Sequence, residues 1–353
     1  MTSDSDGPWR ITFDTNPDDC NLRCVMCEDH SVFSQTQETR RRLQIPARRM
    51  NVGLIRKVVA QAVNHGLKEI IPSTMGEPLL YSEFDEILRI CSELGVRLNL
   101  TTNGTFPRRS VEEWACLIAP VGSDVKISLN GSTAETDESV MVGARFPTVV
   151  ENLRRFLAVR DAVYRESGHY CRVTIQATFL ETNVGELPAM VRLAAELGVD
   201  RLKGHHLWVH FPELAPFSMR RDKLAIEKWN DIVDSCFAAA DRHRRLDGSK
   251  VALEGIFRLD PRGTEISPNA ECPFLGREAW VAWDGRFNPC CAPDAERRTL
   301  GEFGNLNQSS IAEIWRSDTY QELVDSHLNR PLCRSCNMRR PVTSTPRAGA
   351  QAV

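Results

Sequence analysis

An alternation of strand and helix patterns is the feature that most limits how this 353-residue chain can fold. Short apolar and β-branched runs predict six strands, at residues 11–15, 68–73, 96–104, 124–130, 171–179 and 201–209. Helical periodicity predicts helices between them, at 51–65, from Ser82 to Gly95, from Ser110, and at about 147–166 and 186–197. Because a helix separates each strand from the next, the sequence predicts an α/β fold with a parallel sheet.

The side chains within two strands predict a polar barrel interior. In residues 124–130 the polar face is Lys126, Ser128 and Asn130, and in 171–179 it is Arg172, Thr174, Gln176 and Thr178. The opposite, apolar faces should pack on the outer helices. Closed eight-stranded barrels fill their interior with branched apolar side chains. The polar face therefore favours a partial (β/α)6 TIM-like barrel that holds a polar ligand, with an ordinary half-covered sheet as the alternative.

The pattern changes after residue 209. We expect a disordered N-terminus at 1–10, the barrel at 11–209, and a helical insertion or linker at 210–265 with a helix near 221–244. A small second domain is expected at 266–340. It includes a hairpin at 278–291 around Asp284-Gly285 and a helix at 309–315. A disordered tail is expected at 341–353.

Composition excludes several classes of protein. A formal charge of −3 and a pI near 6.3 provide no general attraction to nucleic acid. No run approaches the length of a membrane span, and the N-terminus lacks the apolar region of a secretory signal. We therefore expect a cytoplasmic protein with reduced thiols, in which 12 cysteines indicate metal or redox chemistry. Four of them, Cys91, Cys116, Cys171 and Cys236, are interpreted as small buried hydrophobic residues.

Three cysteines follow the first strand closely: Cys20, Cys24 and Cys27. An odd number disfavours disulfides, and a structural zinc site needs four protein ligands. Three thiolates on a four-iron cluster would leave one iron open for a substrate. Spacing alone leaves zinc as an alternative.

This CxxxCxxC loop after the first strand of a βα barrel resembles the radical S-adenosylmethionine (SAM) superfamily. The resemblance implies that the open iron binds the amino and carboxylate groups of SAM. Met75-Gly76-Glu77-Pro78 resembles the family's GGEP motif, with Met75 in place of a glycine. Gly76, Glu77 and Pro78 would then hold the methionyl ammonium. Further positions that match SAM contacts of the family are Met26, for the adenine, and Ser128 and Asn130, for the ribose and carboxylate.

A second set of cysteines lies near the C-terminus: Cys272, Cys290, Cys333 and Cys336. Their spacing resembles the twitch domain, the shorter relative of the SPASM domain. The resemblance implies one auxiliary [4Fe-4S] cluster, and so two [4Fe-4S] clusters in the chain. Cys291 is the only spare cysteine nearby, whereas a full SPASM domain usually carries two auxiliary clusters. The alternative is a structural zinc ribbon.

The resemblance also implies a reaction. The first cluster would reduce SAM, and the resulting 5′-deoxyadenosyl radical would take a hydrogen atom from the substrate. We expect alcohol oxidation of a small polar substrate, such as a sugar, an aminocyclitol or a nucleoside, in secondary metabolism. This follows from the resemblance to aminocyclitol dehydrogenases and nucleoside-sugar decarboxylases of antibiotic biosynthesis. The expected reductant is a flavodoxin or a ferredoxin.

Three alternatives remain open for the function. One is redox-neutral decarboxylation of a nucleoside-linked uronic acid, and another is a non-catalytic iron–sulfur or zinc protein. The third is modification of a ribosomal peptide, ranked lower because little chain precedes the first strand to form a leader-binding domain. Four residues are candidates for contacts with the substrate: Lys203, His205, His206 and Arg258. Lys203 and His205 share one face of the sixth strand, and His206 lies on the other.

Overall fold

The computed structural model describes residues 6–73, 75–261 and 270–340. Nine strands form one sheet: β1 (Arg10–Phe13), β2 (Glu69–Ile71), β3 (Arg97–Thr102), β4 (Gly122–Ser128), β5 (Arg172–Phe179), β6 (Arg201–His206), β7 (Ala252–Glu254), β8 (Glu278–Val281) and β9 (Phe287–Asn288). Their order across the sheet is β7-β6-β5-β4-β3-β2-β1-β8-β9. Among the described residues no pairing joins β7 to β9, so the sheet is open, as the polar strand faces predicted.

Twelve α-helices accompany the sheet in the described part of the chain. They are α1 (Thr36–Arg42), α2 (Val52–Ala62), α3 (Phe84–Leu94), α4 (Val111–Ile118), α5 (Ala134–Val140), α6 (Phe146–Ser167), α7 (Leu187–Leu197), α8 (Lys223–Arg242), α9 (Asp294–Arg297), α10 (Ile311–Arg316), α11 (Asp318–Ser326) and α12 (Pro331–Ser335). The helices predicted within the barrel and at 221–244 and 309–315 are confirmed. The helices α1 and α5 lie in segments for which the sequence predicted none.

Local sequence signals explain where the barrel helices begin and end. The Asn51 side chain accepts a hydrogen bond from the Gly53 N–H and caps α2. Ser110 and Glu113 form a reciprocal capping box at the start of α4. Gly95 follows α3 with φ of 66°, a left-handed conformation that glycine adopts without steric cost. The apolar sides of these helices then pack on the outer face of the sheet to form the main core.

The second domain continues the sheet of the first. Strand β8 pairs with β1 in parallel register, Arg10 opposite Glu278, and then turns back into the antiparallel strand β9. The predicted hairpin around Asp284-Gly285 is thereby confirmed. The short strand β7, in the segment expected to be a helical linker, pairs in parallel with β6 at the other end of the sheet. The sheet therefore contains the six predicted barrel strands, the two strands of the predicted hairpin, and β7, which the sequence did not predict.

Two expectations about local order and burial are corrected. Residues 6–10 were expected to be disordered, but β1 begins at Arg10 and the Trp9 N–H donates to the Arg277 carbonyl at 3.0 Å. Cys116 was expected to be buried, but it lies on the solvent side of α4 and is exposed. Cys91, Cys171 and Cys236 are buried as predicted. The remaining residues of the expected disordered ends, 1–5 and 341–353, lie outside the described part of the chain.

No helix within residues 6–73, 75–261 and 270–340 combines the length and apolar character needed to cross a membrane.

Candidate functional site

The curled sheet surrounds a cavity of about 400 Å³. Seven strands contribute side chains to its wall: Arg10 and Thr12 of β1, Ile71 of β2, Thr101 of β3, Lys126 and Ser128 of β4, Gln176 of β5, Lys203 and His205 of β6, and Glu278 and Trp280 of β8. Most of these side chains are polar, as the strand alternation predicted. The carboxyl ends of β1 and β2 continue into loops that cover one side of the cavity.

The loop after β1 brings its three cysteines to this cavity. Cys20, Cys24 and Cys27 all line it. Backbone amides point at two of the sulfurs: the Leu22 N–H donates to Cys20 Sγ at 3.5 Å and the His30 N–H to Cys27 Sγ at 3.4 Å. Amide donors of this kind stabilise a thiolate sulfur that ligates iron.

The environment of these thiols fits a metal cluster. Burial raises the pKa of Cys20 to about 11 and that of Cys27 to about 12. The Cys24 pKa is raised as well, first by burial and then by its neighbours Cys27 and Cys20. Within the described ranges, no basic side chain is among the groups that act on the pKa values of these three thiols, so they need a metal centre to become charged ligands. A four-iron cluster held by Cys20, Cys24 and Cys27 meets this requirement and keeps one iron open.

The loop after β2 is locked against the cysteine loop. A Cβ on Gly76 would lie 2.1 Å from the Asn16 carbonyl oxygen, so only glycine fits there. The Glu77 N–H donates to the Asp19 carbonyl at 2.8 Å, and the Asn16 side chain donates to the Glu77 carbonyl at 2.9 Å. The packing of one loop on the other therefore explains the glycine of the Gly-Glu-Pro sequence.

Glu77 is a buried carboxylate on the cavity wall. It accepts hydrogen bonds from the Thr102 hydroxyl at 2.8 Å and from the Asn103 N–H at 2.8 Å. Burial raises its pKa to about 7, against the lowering effect of these donors. Within the described residues no Lys, Arg or His forms an ion pair with Glu77. A cationic group, such as the ammonium of SAM, would fit beside it.

The other residues matched to SAM contacts divide into two groups. Met26 and Ser128 line the cavity. Pro78 and Asn130 are buried but do not line it. Pro78 opens a short 3-10 turn, and Asn130 Oδ1 accepts from the Thr178 N–H at 2.8 Å. The Asn130 Nδ2 group has no hydrogen-bond partner among the described residues.

The four substrate candidates divide in the same way. Lys203 and His205 line the cavity. His206 and Arg258 do not, and both predictions are corrected. The His206 ring packs against Phe179 and Trp229 on the opposite face of the sheet. Arg258 is exposed and forms an ion pair with Asp234 of α8.

The C-terminal cysteines form a second group. Cys290 lies close enough to Cys336, Cys272 and Cys333 for their charges to raise its pKa, after the larger effect of burial. None of these four lines the cavity, whereas the neighbouring Cys291 does. Cys272, Cys290, Cys333 and Cys336 therefore make a separate site with four sulfurs.

Among the described residues, no three His, Cys, Asp or Glu side chains lie close enough together to hold a single metal ion.

Comparisons with known families agree with the two cysteine sites. Residues 17–165 match the radical SAM superfamily. Residues 272–337 match the SPASM family, an iron–sulfur cluster-binding domain. The chain contains a radical SAM domain followed by a SPASM domain. It is a radical SAM enzyme, and its cofactors are SAM and two [4Fe-4S] clusters, one SAM-binding and one auxiliary.

Several proteins are similar over most of the chain. The tungsten-containing aldehyde ferredoxin oxidoreductase cofactor-modifying protein of Pyrococcus furiosus is 24% identical over 336 residues, covering 91% of this chain and 85% of the relative. The PqqA peptide cyclase of Methylobacterium nodulans is 26% identical over 328 residues, covering 91% and 76%. The fold matches Streptococcus suis SuiB bound to SAM with a TM-score of 0.64 and 16% identity, covering 94% and 72%.

The structure adds site residues that the sequence analysis did not select. Lys126 was predicted to face the interior but was not chosen as a site residue. Arg10, Glu278 and Trp280 reach the cavity from strands β1 and β8, whose adjacency no local pattern reveals. Lys126, Arg10 and Glu278 are charged residues within short, otherwise buried strands, and this feature could have identified them as site residues from the sequence.

Proposed function

We propose that this radical SAM enzyme modifies a peptide. The observation that carries the proposal is the similarity to the PqqA peptide cyclase, which extends over 91% of the chain and through both domains. SuiB, with a similar fold, has also been crystallised bound to its precursor peptide SuiA. The sequence analysis ranked this function below oxidation of a small molecule. The curated relatives favour the peptide.

The proposed roles of the residues follow from the cavity. Cys20, Cys24 and Cys27 hold the cluster that binds SAM, and Glu77 accepts the ammonium of SAM. When bound, the cluster and SAM supply the electron and the hydrogen-abstracting group. The protein contributes orientation and reduces access of bulk water, because residues such as Trp280 and Met26 add apolar surface to the cavity wall.

The C-terminal site has a different proposed role. Cys272, Cys290, Cys333 and Cys336 provide four thiolates and so leave no iron open for a substrate. We assign this site to electron transfer, which a net two-electron oxidation of the substrate requires. The external reductant of the first cluster is a flavodoxin or a ferredoxin, as is general for this chemistry.

A small polar molecule is the second candidate substrate. The polar strand residues that line the cavity favour it, and the Pyrococcus furiosus relative is named as a cofactor-modifying protein. Sugars, aminocyclitols and nucleosides are therefore kept as comparison substrates.

The test uses the anaerobically reconstituted holoenzyme with a chemical reductant and SAM. One panel contains short peptides encoded in the genome of the source organism, and the other contains sugars, aminocyclitols and nucleosides. We expect a peptide to raise 5′-deoxyadenosine formation above the substrate-free rate and to change mass, as followed by mass spectrometry. Turnover of a small molecule, with no peptide modified, would contradict the proposal.

A further inference from the structure

The wall of the cavity includes a buried lysine, Lys126. Lys126 lies two residues before Ser128 on β4, toward the amino end of the strand, and is 5% exposed. Its ammonium group donates a hydrogen bond to the Asn99 amide oxygen. Among the described residues, no carboxylate lies within ion-pair distance of Lys126. A buried ammonium without a carboxylate partner is costly unless something else compensates its charge.

The carboxylates around Lys126 are already engaged by other cations. Glu69 and Glu278 pair with Arg10, at 2.9 and 2.5 Å. Asp124 pairs with Arg172 and Arg201.

Glu254, a further carboxylate of the sheet, is also engaged by cations. It pairs with Arg201, with Lys203 at 3.1 Å and with Arg340 at 3.3 Å. The four carboxylates are thus engaged by five cations other than Lys126: Arg10, Arg172, Arg201, Lys203 and Arg340. A buried ammonium group that lines a cavity and has no carboxylate partner attracts an anionic group.

Three side chains with hydrogen-bond donors, on neighbouring strands, are positioned to bind such an anionic group. Strand register places Gln176 opposite Ser128 and Lys203 opposite Gln176. This row of residues lies two positions after Lys126, toward the carboxyl ends of the strands. The side-chain amide of Gln176 has no hydrogen-bond partner among the described residues. Lys203 has three N–H donors, and Glu254 is its one ion-pair partner in the described part of the chain. All three side chains line the cavity.

The pKa of Lys126 agrees with an anion-binding role for this part of the wall. Burial and, after it, the charge of Lys203 lower the pKa of Lys126 to about 7. An anion between the two lysines would raise the pKa of Lys126 again and favour its charged form.

We propose that Lys126, Lys203 and Gln176 form a carboxylate-binding site on the cavity wall, here called the carboxylate floor, and that the substrate presents a carboxylate to it. The substrate class follows from the proposed function: a peptide whose reacting residue is acidic, or whose C-terminus enters the cavity. The carboxylate of SAM is the competing source of the same chemistry.

Isothermal titration of the SAM-loaded holoenzyme tests this floor without turnover. The probes are acetyl-Gly-Glu-Gly-amide, its Gln counterpart, acetyl-Gly-Gly-Gly with a free C-terminus, and glutarate. We expect the Glu tripeptide or the free C-terminus to bind on the order of tenfold more tightly than the Gln tripeptide. Equal affinities for all three peptides, or no binding of any probe at millimolar concentration, would overturn the proposal.

The variant Lys126→Gln tests the assignment to this residue. We expect it to remove the preference for the carboxylate probes, while Lys68→Gln, a change at an exposed lysine, retains that preference. A SAM dissociation constant that rises in Lys126→Gln as much as that of the acidic probes would assign the floor to SAM and overturn the proposal. The comparison of Glu and Gln probes on the unaltered protein needs no variant to fold.

The glutarate probe separates this proposal from the proposed function. Binding of glutarate that depends on Lys126, with no binding of any peptide, would support the carboxylate floor and count against a peptide substrate. Preference for the Glu tripeptide over glutarate would support both.

Discussion

The two cysteine sites of this protein differ in what surrounds them. Cys20, Cys24 and Cys27 line the cavity, and the charged groups that raise their pKa include Glu77, Asp137 and Asp29.

The four C-terminal cysteines lie outside the cavity. Arg339 lowers the pKa of Cys272, Cys333 and Cys336 against the larger effect of burial, and Arg277 acts on Cys272 as well. Carboxylates thus surround the site that takes up a cationic ligand, and guanidinium groups surround the site that holds the larger number of thiolates. The electrostatics of each site match its proposed task.

The largest expected effect follows from replacing the first site. In Cys20→Ala/Cys24→Ala/Cys27→Ala, SAM cleavage should fall to the background rate, because no iron remains to bind SAM. Iron and sulfide should drop to roughly half, since the auxiliary cluster keeps its four ligands. Mass spectrometry of 5′-deoxyadenosine and iron analysis measure both, with exposed Cys116→Ala as the control. Retained 5′-deoxyadenosine formation would refute the assignment of the first site.

Replacing cysteines of the second site should separate SAM cleavage from formation of the oxidised product. In Cys333→Ala/Cys336→Ala, SAM should still be cleaved, while oxidised product should fall by at least roughly tenfold, because the route for the second electron is lost. Circular dichroism must first show native folding, since metal ligation often contributes to stability. Full product formation by a folded variant would make the auxiliary cluster a structural element and remove the functional contrast between the sites.

A smaller effect is expected from the carboxylate that distinguishes the first site. Glu77→Gln keeps the shape of the side chain but removes its negative charge. SAM affinity, measured by isothermal titration, should weaken by roughly 10- to 100-fold, the usual loss for a charged hydrogen bond. The exposed Glu166→Gln is the matched control. Unchanged affinity in Glu77→Gln would show that the ammonium of SAM binds elsewhere.

The smallest effect is expected at Cys291, which lies close enough to Cys290, Cys336 and Cys272 for their charges to raise its pKa, after the larger effect of burial. Its side chain lines the cavity although its neighbour Cys290 belongs to the second group. Cys291→Ala should therefore retain both clusters, with iron content equal to that of the unaltered protein, whereas Cys290→Ala should lose iron. Loss of iron in Cys291→Ala would add this thiol to the ligands and weaken the distinction between the sites.

The sequence by itself determined much of this protein. Strand and helix periodicity predicted the six core strands and their helices, because burial of one face leaves a local pattern. The spacing of Cys20, Cys24 and Cys27, followed one βα unit later by Gly76-Glu77-Pro78, predicted the radical SAM domain. Alternation within the strand at 124–130 predicted that Lys126 and Ser128 face the interior.

The tertiary structure decided what depends on contacts between distant segments. Only strand register shows that β8 lies beside β1, which brings Arg10 to Glu278, 268 residues away in sequence. The choice among Lys203, His205, His206 and Arg258 also needed the fold. A single strand specifies two faces, but only the curl of the sheet decides which face surrounds the cavity. The lack of a carboxylate partner for Lys126 is a property of seven strands together, because ion pairs across a sheet depend on which strands are neighbours and not on local sequence.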